Sequence, residues 1–502
     1  MTNPTMSKLG DSPPDEESYN EIEPHKALIH DDVTLEEEAL IKKVEWNGSA
    51  VITYPLDYKR VPMVKRQILV CFLLFAILGL NDQSTGSLLP TLVNHYKLSK
   101  IKVSNIFILQ ATGYITASLL NDKVHKYGGS RGCILGAIAI CFVFYAILAL
   151  RPAYFAVYLC CYFPLGLALG LIDATCNILV GNLEVNKNEL MGLLHGVYSG
   201  SAMLTPPIVS YFVEWGHWPL FFVIPVTVAV ICGILAVPNF RYETAVKYDY
   251  ICKAKVDAND SDTLDTAEGL AGTTDTGTDT DTDTGMLAQL KSRPVLLYSS
   301  FLFVYLGAEV TTGSWLFTYL LETKMNNPVR MSYIVSTFWV GLTVGRVVLG
   351  FVTGRVFRNE YRAGRVYSIC TLALFCMFVL VGATGTSTGE PQAQHLQPTL
   401  SLAYFLSLML IIFLSGFFIG PLFPIGSVVA LQLLPKSMHV SGIGVATSLG
   451  SCGTALLPYM AGVIIQLVGM WSMPLISCLL VASFTLVWCM YPYLIRDHPE
   501  YL

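Results

Sequence analysis

Two aspartates lie inside stretches of sequence that are otherwise apolar enough to cross a lipid bilayer. Asp82 falls within residues 68–93, and Asp173 falls within residues 153–180. A charged Asp near the middle of a membrane helix costs roughly 2.5–3.5 kcal/mol on insertion scales, so such residues usually face a cavity or a partner. A carboxyl in such a place can take up and release a proton, because burial disfavours its charged form. These two acids are therefore the first candidates for chemistry.

The residues around each aspartate are polar as well. Asn81 precedes Asp82 and Gln83 follows it, so three consecutive polar side chains need partners or water within one span. Asn177 follows Asp173 by four positions, which places an amide and a carboxylate on one helix face. This pattern favours a cavity wall that binds protons or a polar solute. Two structural alternatives stay open: a hydrogen-bond cluster that locks Asp82 to neighbouring helices, and small-residue packing around Asp173.

Two further apolar stretches carry residues of suitable chemistry. His195 and Tyr198 share one helical face, where the imidazole could relay protons or bind a solute. Glu309 offers a third carboxylate, and Trp315 offers an indole whose face suits the apolar side of a sugar ring. His195 and Trp315 are also residue types that commonly pack at membrane interfaces. We expect Asp82 and the acids of the later stretches to meet in one cavity.

Composition places the chain among membrane proteins. It has 502 residues, of which 53% are hydrophobic and only 13% are charged, whereas a soluble domain has about 25% charged residues. The first 60 residues are polar and acidic, without the apolar core of a cleavable signal peptide. Nucleic acid is not an expected partner. Enzymatic motifs, Walker-type nucleotide loops and zinc-type cysteine spacing are missing from the sequence, so we expect no catalytic residue, no cofactor and no metal site.

Apolar stretches of spanning length occur in two groups of six. Each is long enough to cross a hydrocarbon core of roughly 30 Å as a helix. We expect an all-α integral membrane protein whose twelve transmembrane helices form two six-helix bundles, at 66–240 and 294–495. Residues 1–65 and 496–502 are expected to be cytoplasmic tails, the first disordered, and residues 241–293 a disordered, low-complexity cytoplasmic loop. The stretches lie near 68–93, 104–121, 132–150, 153–180, 190–213, 217–237, 294–321, 331–354, 364–384, 400–424, 440–467 and 471–495.

Basic residues near the span ends predict the orientation. Lys and Arg cluster before the first span, between the second and third, and between the eighth and ninth. Cytoplasmic loops carry an excess of such residues, so both termini are expected in the cytoplasm. The plasma membrane and the vacuolar membrane fit equally well.

Charged residues in two of these connections are candidates for gating. In the first half they are Asp122, Lys123, Gly129 and Arg131, where Asp122 and Arg131 are expected to pair in one conformation and separate in another. Arg355 lies at the corresponding connection of the second half. Arg346 lies inside a span, where it either pairs with a cavity carboxylate or extends towards the cytoplasmic surface.

These motifs resemble the major facilitator superfamily. The connection at Ser118-Leu119-Leu120-Asn121-Asp122-Lys123 is similar to the superfamily signature G-x-L-x-D-R-x-G-R-R, with Lys for the first Arg and an apparent insertion before Gly129 and Arg131. The pair Asn81-Asp82 and the stretch Gly170–Asn177, with Asp173 inside it, resemble the fucose permease branch. Residues 307–315, which contain Glu309, are similar to fungal members of that branch.

The resemblance implies two parallel six-helix repeats with a solute site between them. It implies a transporter that acts on a small polar solute, sugar-like as the first choice, with protons and the lipid bilayer as its other partners, and that works as a monomer. A uniporter or a proton antiporter that exports organic compounds remains an alternative. A membrane nutrient sensor that does not transport is the alternative from another class.

Overall fold

The computed structural model describes residues 40–251, 293–383, 401–433 and 439–494. Helices dominate it, and most residues of the apolar stretches are helical. The terminal segments 1–39 and 495–502 lie outside the described residues, as do most of the expected loop 241–293 and the connections 384–400 and 434–438. The helices are α1 (Pro62–Tyr96), α2 (Lys100–Ala149), α3 (Phe155–Cys160), α4 (Tyr162–Gly181), α5 (Lys187–Glu214), α6 (Val223–Asn239), α7 (Arg293–Thr323), α8 (Pro328–Val356), α9 (Glu360–Ala383), α10 (Leu402–Ile419), α11 (Leu422–Leu433), α12 (His439–Val468) and α13 (Met473–Leu494).

All twelve predicted stretches coincide with helical segments, although the helices do not match them one for one. Within the described parts of the chain, nine helical stretches are long and apolar enough to cross a membrane. Helix α2 contains two predicted stretches in one continuous trace. It bends at Gly129, where φ is 63° and ψ is −174°, a backbone conformation that favours glycine. The protein is therefore a multi-pass, helical membrane protein.

The helices pair in the same way in both halves of the chain. In the first half α1 packs on α5 and α6, and α2 packs on α4 and α6. In the second half α7 packs on α12 and α13, α8 packs on α10, and α9 packs on α13. Contacts across the halves are reciprocal as well, since α2 meets α12, α5 meets α8, and α1 meets α7. The described helices of the two halves thus share one pattern of pairing.

Glycines bring the paired helices close together at equivalent places. A Cβ atom at Gly166 of α4 would lie 2.0 Å from the carbonyl oxygen of Gln110 on α2. A Cβ atom at Gly416 of α10 would lie 2.1 Å from the carbonyl oxygen of Phe338 on α8. Small residues of this kind allow membrane helices to approach backbone to backbone. These contacts fix the α2–α4 pair and the α8–α10 pair, which carry several of the candidate site residues.

A β-hairpin precedes the first helix, and it corrects the expectation of a disordered tail through residue 65. Strand β1 (Lys42–Trp46) pairs antiparallel with strand β2 (Ser49–Thr53). The connecting residues Asn47 and Gly48 both have positive φ, 48° and 72°. Two such residues form the turn that matches the twist of a tight hairpin. Helix α1 then begins at Pro62, four residues before the predicted boundary.

The segment after α6 is also ordered as far as residue 251, which corrects the start of the expected disordered loop. Together with residues 42–61 it forms a layer that we call the brace (residues 42–61 and 240–251). In the brace the Trp46 indole N–H donates to the Asp249 carboxylate over 3.1 Å, and Tyr54 donates to Glu243. Burial and the Glu243 carboxylate raise the pKa of Tyr54 well above its usual value, so the phenol keeps its proton.

The brace contacts three helices of the first half. Gln67 of α1 donates to the Tyr54 hydroxyl over 3.0 Å and to the Asn239 carbonyl over 2.7 Å. The backbone N–H of Arg131 donates to the Glu243 carbonyl over 2.9 Å, where α2 bends. Buried Lys247 pairs with Glu243 at 2.7 Å. The brace therefore joins α1, the bend of α2 and the end of α6 into one unit.

Candidate functional site

Asp82 lies on α1 and accepts hydrogen bonds from three neutral donors. The Gln110 amide of α2 donates to Oδ1 over 2.9 Å, and the Tyr198 hydroxyl of α5 donates to Oδ2 over 3.1 Å. The neighbouring Asn81 amide also donates to Oδ1, over 3.2 Å. Hydrogen bonds to the charged form stabilise a buried carboxylate, while desolvation opposes that charge. Asp82 therefore joins three helices of the first half and remains partly accessible.

The two residues beside Asp82 are buried and differ in their partners. The Asn81 side-chain oxygen Oδ1 accepts a bond from the Tyr145 hydroxyl of α2 over 3.1 Å, which connects the acid to a second tyrosine. The Gln83 Nε2 atom lies 2.8 Å from the position that a Cβ of Gly313 on α7 would take. The Gln83 Oε1 atom is buried without a hydrogen-bond partner. Gln83 thus lies at the contact between the halves.

Asp173 lies on α4 and is bound by Asn177 of the next turn. The Asn177 amide donates to Asp173 Oδ1 and to the Asp173 carbonyl oxygen, both over 2.9 Å. Both side chains are partly accessible. The spacing of four residues predicted that the two side chains lie on one helix face, and their hydrogen bond agrees with this. This local pairing is compatible with a proton or solute site and equally with a carboxylate bound only by its own helix.

The second half contributes Glu309 of α7 and Arg346 of α8. Their Oε1 and Nη2 atoms are 3.5 Å apart, and the side chains are only 6% and 22% exposed. Arg346 also donates to the Ser199 hydroxyl of α5 over 3.4 Å and to the Gly420 carbonyl over 3.3 Å. Arg346 therefore pairs with a carboxylate, one of the two alternatives that the sequence left open. It also reaches from the second half to the first.

Helix α5 carries the residues that contact both sets of acids. Tyr198 binds Asp82 and interacts electrostatically with Glu309 and Arg346. His195, one turn earlier, is partly buried, and its ring packs edge-on against Phe75 with centroids 5.4 Å apart. His195 therefore has a packing contact as well as a place near the site.

Tyrosines connect the acids of the first half electrostatically. Tyr114 of α2 interacts with both Asp82 and Asp173, and these two acids interact with each other. Tyr198 extends the group towards Glu309. Asp82 thus interacts with Asp173 within the first half, and Tyr198 links Asp82 to the Glu309–Arg346 pair of the second half. A solute between the two halves would contact side chains from both repeats.

Trp315 does not offer the open aromatic face that the sequence suggested. Its side chain is 1% exposed, and its indole N–H donates to the Pro458 carbonyl of α12 over 2.9 Å. Trp339 of α8, which the sequence interpretation did not single out, contacts Tyr198 and is 2% exposed. Its ring packs edge-on against Tyr198 with centroids 6.4 Å apart, and its indole nitrogen is buried without a hydrogen-bond partner. In the sequence, an aromatic residue near the site looks the same as one that only packs against other helices of the span.

The expected gating residues lie at the bend of α2 and at the end of α8. Asp122 pairs with Lys126 at 2.8 Å and accepts a bond from Tyr248 of the brace over 3.2 Å, so in this conformation its partner is not Arg131. Gly129 lies against the brace, where a Cβ would come within 2.4 Å of the Glu243 carbonyl oxygen. The remaining residues are exposed at these connections, Lys123 beside Asp122 and Arg355 in the last turn of α8.

At the opposite end the two halves make direct polar contacts. Lys100 of α2 pairs with Glu322 of α7 at 2.7 Å, and the Lys100 backbone N–H donates to Gln466 of α12 over 2.9 Å. Ser336 of α8 donates to the Met203 carbonyl of α5 over 2.8 Å. We call this end the Lys100 end. Here α2 and α5 of the first half make polar contacts with α7, α8 and α12 of the second half. Among the described residues, no group of three or more His, Cys, Asp or Glu side chains could hold a metal ion.

Comparison with known proteins agrees with this architecture. The sequence profile of the Major Facilitator Superfamily matches residues 71–389. Bypass of stop codon protein 6 of Saccharomyces cerevisiae is 49% identical over 462 residues, which cover 92% of this chain and 89% of that protein. The glucose/mannose transporter GlcP of Bacillus subtilis is 23% identical over 405 residues, covering 80% of this chain and 88% of that protein.

Solved structures share the fold at low sequence identity. A POT family transporter in complex with a thioalcohol-conjugated peptide has a TM-score of 0.63 at 13% identity, over 86% of this chain and 96% of that one. A D-xylose–proton symporter has a TM-score of 0.60 at 11% identity, over 85% of this chain and 97% of that one. At this level of identity the likeness concerns the fold alone.

Proposed function

The chain belongs to the Major Facilitator Superfamily, and from that membership we propose that it is a secondary transporter that moves a small polar solute together with protons. We propose for it a membrane architecture of twelve helices in two bundles, with both termini in the cytoplasm. We further propose the fucose permease branch, on the motifs Asn81-Asp82 and Gly170–Asn177. Sugar-like molecules are the first solute class, in line with the distant glucose/mannose transporter and D-xylose–proton symporter.

One observation carries this proposal: Asp82 lies among neutral donors from α1, α2 and α5. Gln110, Tyr198 and Asn81 stabilise its charged form, while desolvation stabilises its neutral form. These effects oppose each other, and within the part of the chain that the structure describes no ion pair holds the carboxylate in its charged form. A change in access to water is then enough to load or release a proton. Asp173 and Asn177 supply the donors and acceptors that a hydroxyl group of a solute needs.

The second half is proposed to complete the solute site. Glu309 and Arg346 present a paired acid and guanidinium to the space near Tyr198. Trp339 is proposed to contribute its indole N–H instead of a ring face, because its ring is 2% exposed and, within the described residues, that N–H has no protein acceptor. A buried N–H donor combined with hydroxyl-binding groups suits a polar solute better than an apolar one.

The test is transport by purified protein in proteoliposomes. Hexoses, pentoses and hexuronic acids are screened one by one, with and without a pH gradient of either sign. We expect at least one solute to accumulate above equilibrium only when protons flow in the same direction. Flux that ignores the gradient would make the protein a uniporter, and accumulation against the proton flow would make it an antiporter. Solute binding without any flux would favour the sensor.

Neutral variants locate the proton carriers. We expect Asp82→Asn to exchange solute across the membrane but to lose gradient-driven accumulation, and Asp173→Asn to show a weaker loss. Glu214→Gln, at the exposed end of α5, is the matched control and should behave as the wild type. If both aspartate variants keep the accumulation of the wild type, neither acid carries the coupled proton.

A further inference from the structure

Two cysteines of the second half place their sulfur atoms in contact. The Sγ atoms of Cys376 on α9 and Cys478 on α13 are 3.7 Å apart, although the two residues are 102 positions apart in the chain. Both are free thiols. A disulfide bond shortens such a contact to about 2 Å and requires that the two backbones already lie close together.

Contacts on both sides of the thiols hold α9 and α13 together. Towards the Lys100 end, a Cβ atom at Gly382 would lie 3.7 Å from the Pro474 ring. Towards the opposite end, the Thr485 hydroxyl donates to the Ser368 carbonyl over 3.4 Å. The thiols lie between these two contacts, so the separation of the two helices is set there as well. Rotation of the two cysteine side chains, without movement of the helices, then brings the sulfurs together.

The thiol pair lies on the outer surface of the second half. Cys376 is exposed, and Cys478 is partly buried. Exposed apolar side chains surround the pair on both helices, with Met377 and Leu380 on α9 and Leu479 on α13. Such a surface faces lipid in a membrane protein. A small oxidant that enters the bilayer therefore reaches the thiols without passing through the protein interior.

The depth of the pair places it nearer the Lys100 end. Cys376 lies seven residues before the end of α9, and Cys478 lies five residues after the start of α13. At 1.5 Å per residue these positions are about 10 Å and about 8 Å from the helix ends. In the proposed orientation this end lies outside the cytoplasm, and disulfides persist in oxidising compartments outside the cytoplasm.

We propose that Cys376 and Cys478 form a redox modification site, in which a reversible disulfide joins α9 to α13. The oxidant is a peroxide from the surroundings. The sulfur of the more exposed Cys376 attacks one oxygen of hydrogen peroxide, the O–O bond breaks, and the thiol proton leaves with the departing oxygen as water. Cys376 is then a sulfenic acid. The sulfur of Cys478 attacks Cys376 Sγ, the S–O bond breaks, and the second thiol proton leaves with that oxygen as a second water. Two thiols thus lose two electrons and two protons to one peroxide.

The disulfide would stabilise the second half of the protein. It closes a loop of about 100 residues, which restricts the unfolded chain more than the folded one. The effect also reaches α7, because the Thr312 hydroxyl of α7 donates to Ser477, the neighbour of Cys478, over 3.1 Å. The disulfide therefore fixes α13 between α9 and the helix that carries Glu309.

The test uses the purified full-length protein in proteoliposomes, treated with hydrogen peroxide. The remaining thiols are alkylated, the protein is digested, and the peptides are identified by mass spectrometry. We expect one linked peptide that contains Cys376 and Cys478 and that separates again after treatment with a dithiol. The oxidised protein should unfold at a higher temperature than the reduced protein.

Single variants identify the thiols responsible. Cys376→Ser and Cys478→Ser should each lose the linked peptide and the rise in unfolding temperature. Cys370→Ser is the matched control, because Cys370 lies six residues earlier on α9 and is also partly accessible. This variant should keep both results. The linked peptide is measured in the wild type, so a variant that fails to fold does not remove the test.

Three results would overturn the inference. They are unmodified thiols after peroxide treatment, a sulfinic acid at Cys376 without the linked peptide, and a link between two copies of the protein instead of within one. An unfolding temperature that stays the same in the linked protein would overturn the stabilising role. None of these results concerns solute transport, so the proposed function is tested separately.

Discussion

Asp82 in the first half and Glu309 in the second half are both acids inside membrane helices, yet their surroundings differ. Asp82 receives hydrogen bonds from two amides and a phenol, all of them neutral. Glu309 faces the guanidinium of Arg346. Protonation of Asp82 removes one charge from a neutral shell, whereas protonation of Glu309 would leave a buried cation without its partner. The two halves thus differ in what surrounds the acid, neutral donors at Asp82 and a guanidinium at Glu309.

Removal of one partner of the buried pair is expected to have the largest effect on stability. Glu309→Gln should lower the free energy of unfolding by about 3–5 kcal/mol, because Arg346 is then buried without an anion. The double variant Glu309→Gln/Arg346→Met should recover most of that loss. We would measure these losses by unfolding the purified protein in detergent. The set of variants is Glu309→Gln, Arg346→Met and the double variant. Losses that simply add would mean that the two side chains do not interact.

A cationic side chain next to Asp82 should remove the difference between the two acids. Gln110→Lys would place an ammonium where the Gln110 amide now lies, 2.9 Å from the carboxylate. Such a pair is worth about 4 kcal/mol at the effective dielectric typical of proteins, enough to keep Asp82 charged. We expect solute accumulation to lose its pH dependence while exchange at constant pH persists. Gln110→Met removes the donor without adding charge and should keep a pH-dependent profile.

A smaller effect on stability is expected at Asp82 itself. Asp82→Asn keeps an acceptor for Tyr198 and replaces a charged acceptor with a neutral one, which costs about 1 kcal/mol. The same unfolding assay applied to Asp82→Asn and Glu309→Gln sharpens the comparison between the halves. A loss at Asp82 as large as the loss at Glu309 would show that the neutral donors bind Asp82 as rigidly as Arg346 binds Glu309.

The smallest effect is expected at the Lys100 end. The Lys100–Glu322 distance of 2.7 Å is shorter than that of the buried pair, but the two side chains are 18% and 40% exposed. Water screens such a pair, so Lys100→Met should cost no more than about 1 kcal/mol. The loss of unfolding free energy in Lys100→Met is compared with the loss in Glu309→Gln. This comparison tests whether burial or distance decides the strength of an ion pair here. A loss above that of the buried pair would contradict the role assigned to burial.

Short-range patterns were sufficient for the helices and for the pairing of Asp173 with Asn177. Both follow from spacing along a helix, which a sequence displays directly. The hairpin before α1 also had a signal, since Asn47-Gly48 separates two short runs with strand-forming residues. Such a dipeptide is a strong indication of a tight hairpin. The acidic composition of the surrounding tail hid it.

Contacts between distant segments could not be predicted in the same way. Gln110 binds Asp82 across 28 positions, and Ser199 binds Arg346 across 147. Nothing in the sequence distinguishes Gln110 or Ser199 from the other glutamines and serines in the spans. Trp315 and Trp339 could not be told apart in the sequence either, because both are aromatic residues in apolar helices. The packing of the helices brings Trp315 to α12 and Trp339 to Tyr198.

The sequence by itself determined that this is a helical membrane protein with acids inside its spans, because hydrophobicity, length and charge act locally along the chain. Only the tertiary structure decided which groups surround each acid. Helix pairing brings Gln110 and Tyr198 to Asp82 and Arg346 to Glu309. The free energy of a buried charge depends on the dipoles and charges within a few ångströms, and these come from segments far apart in sequence.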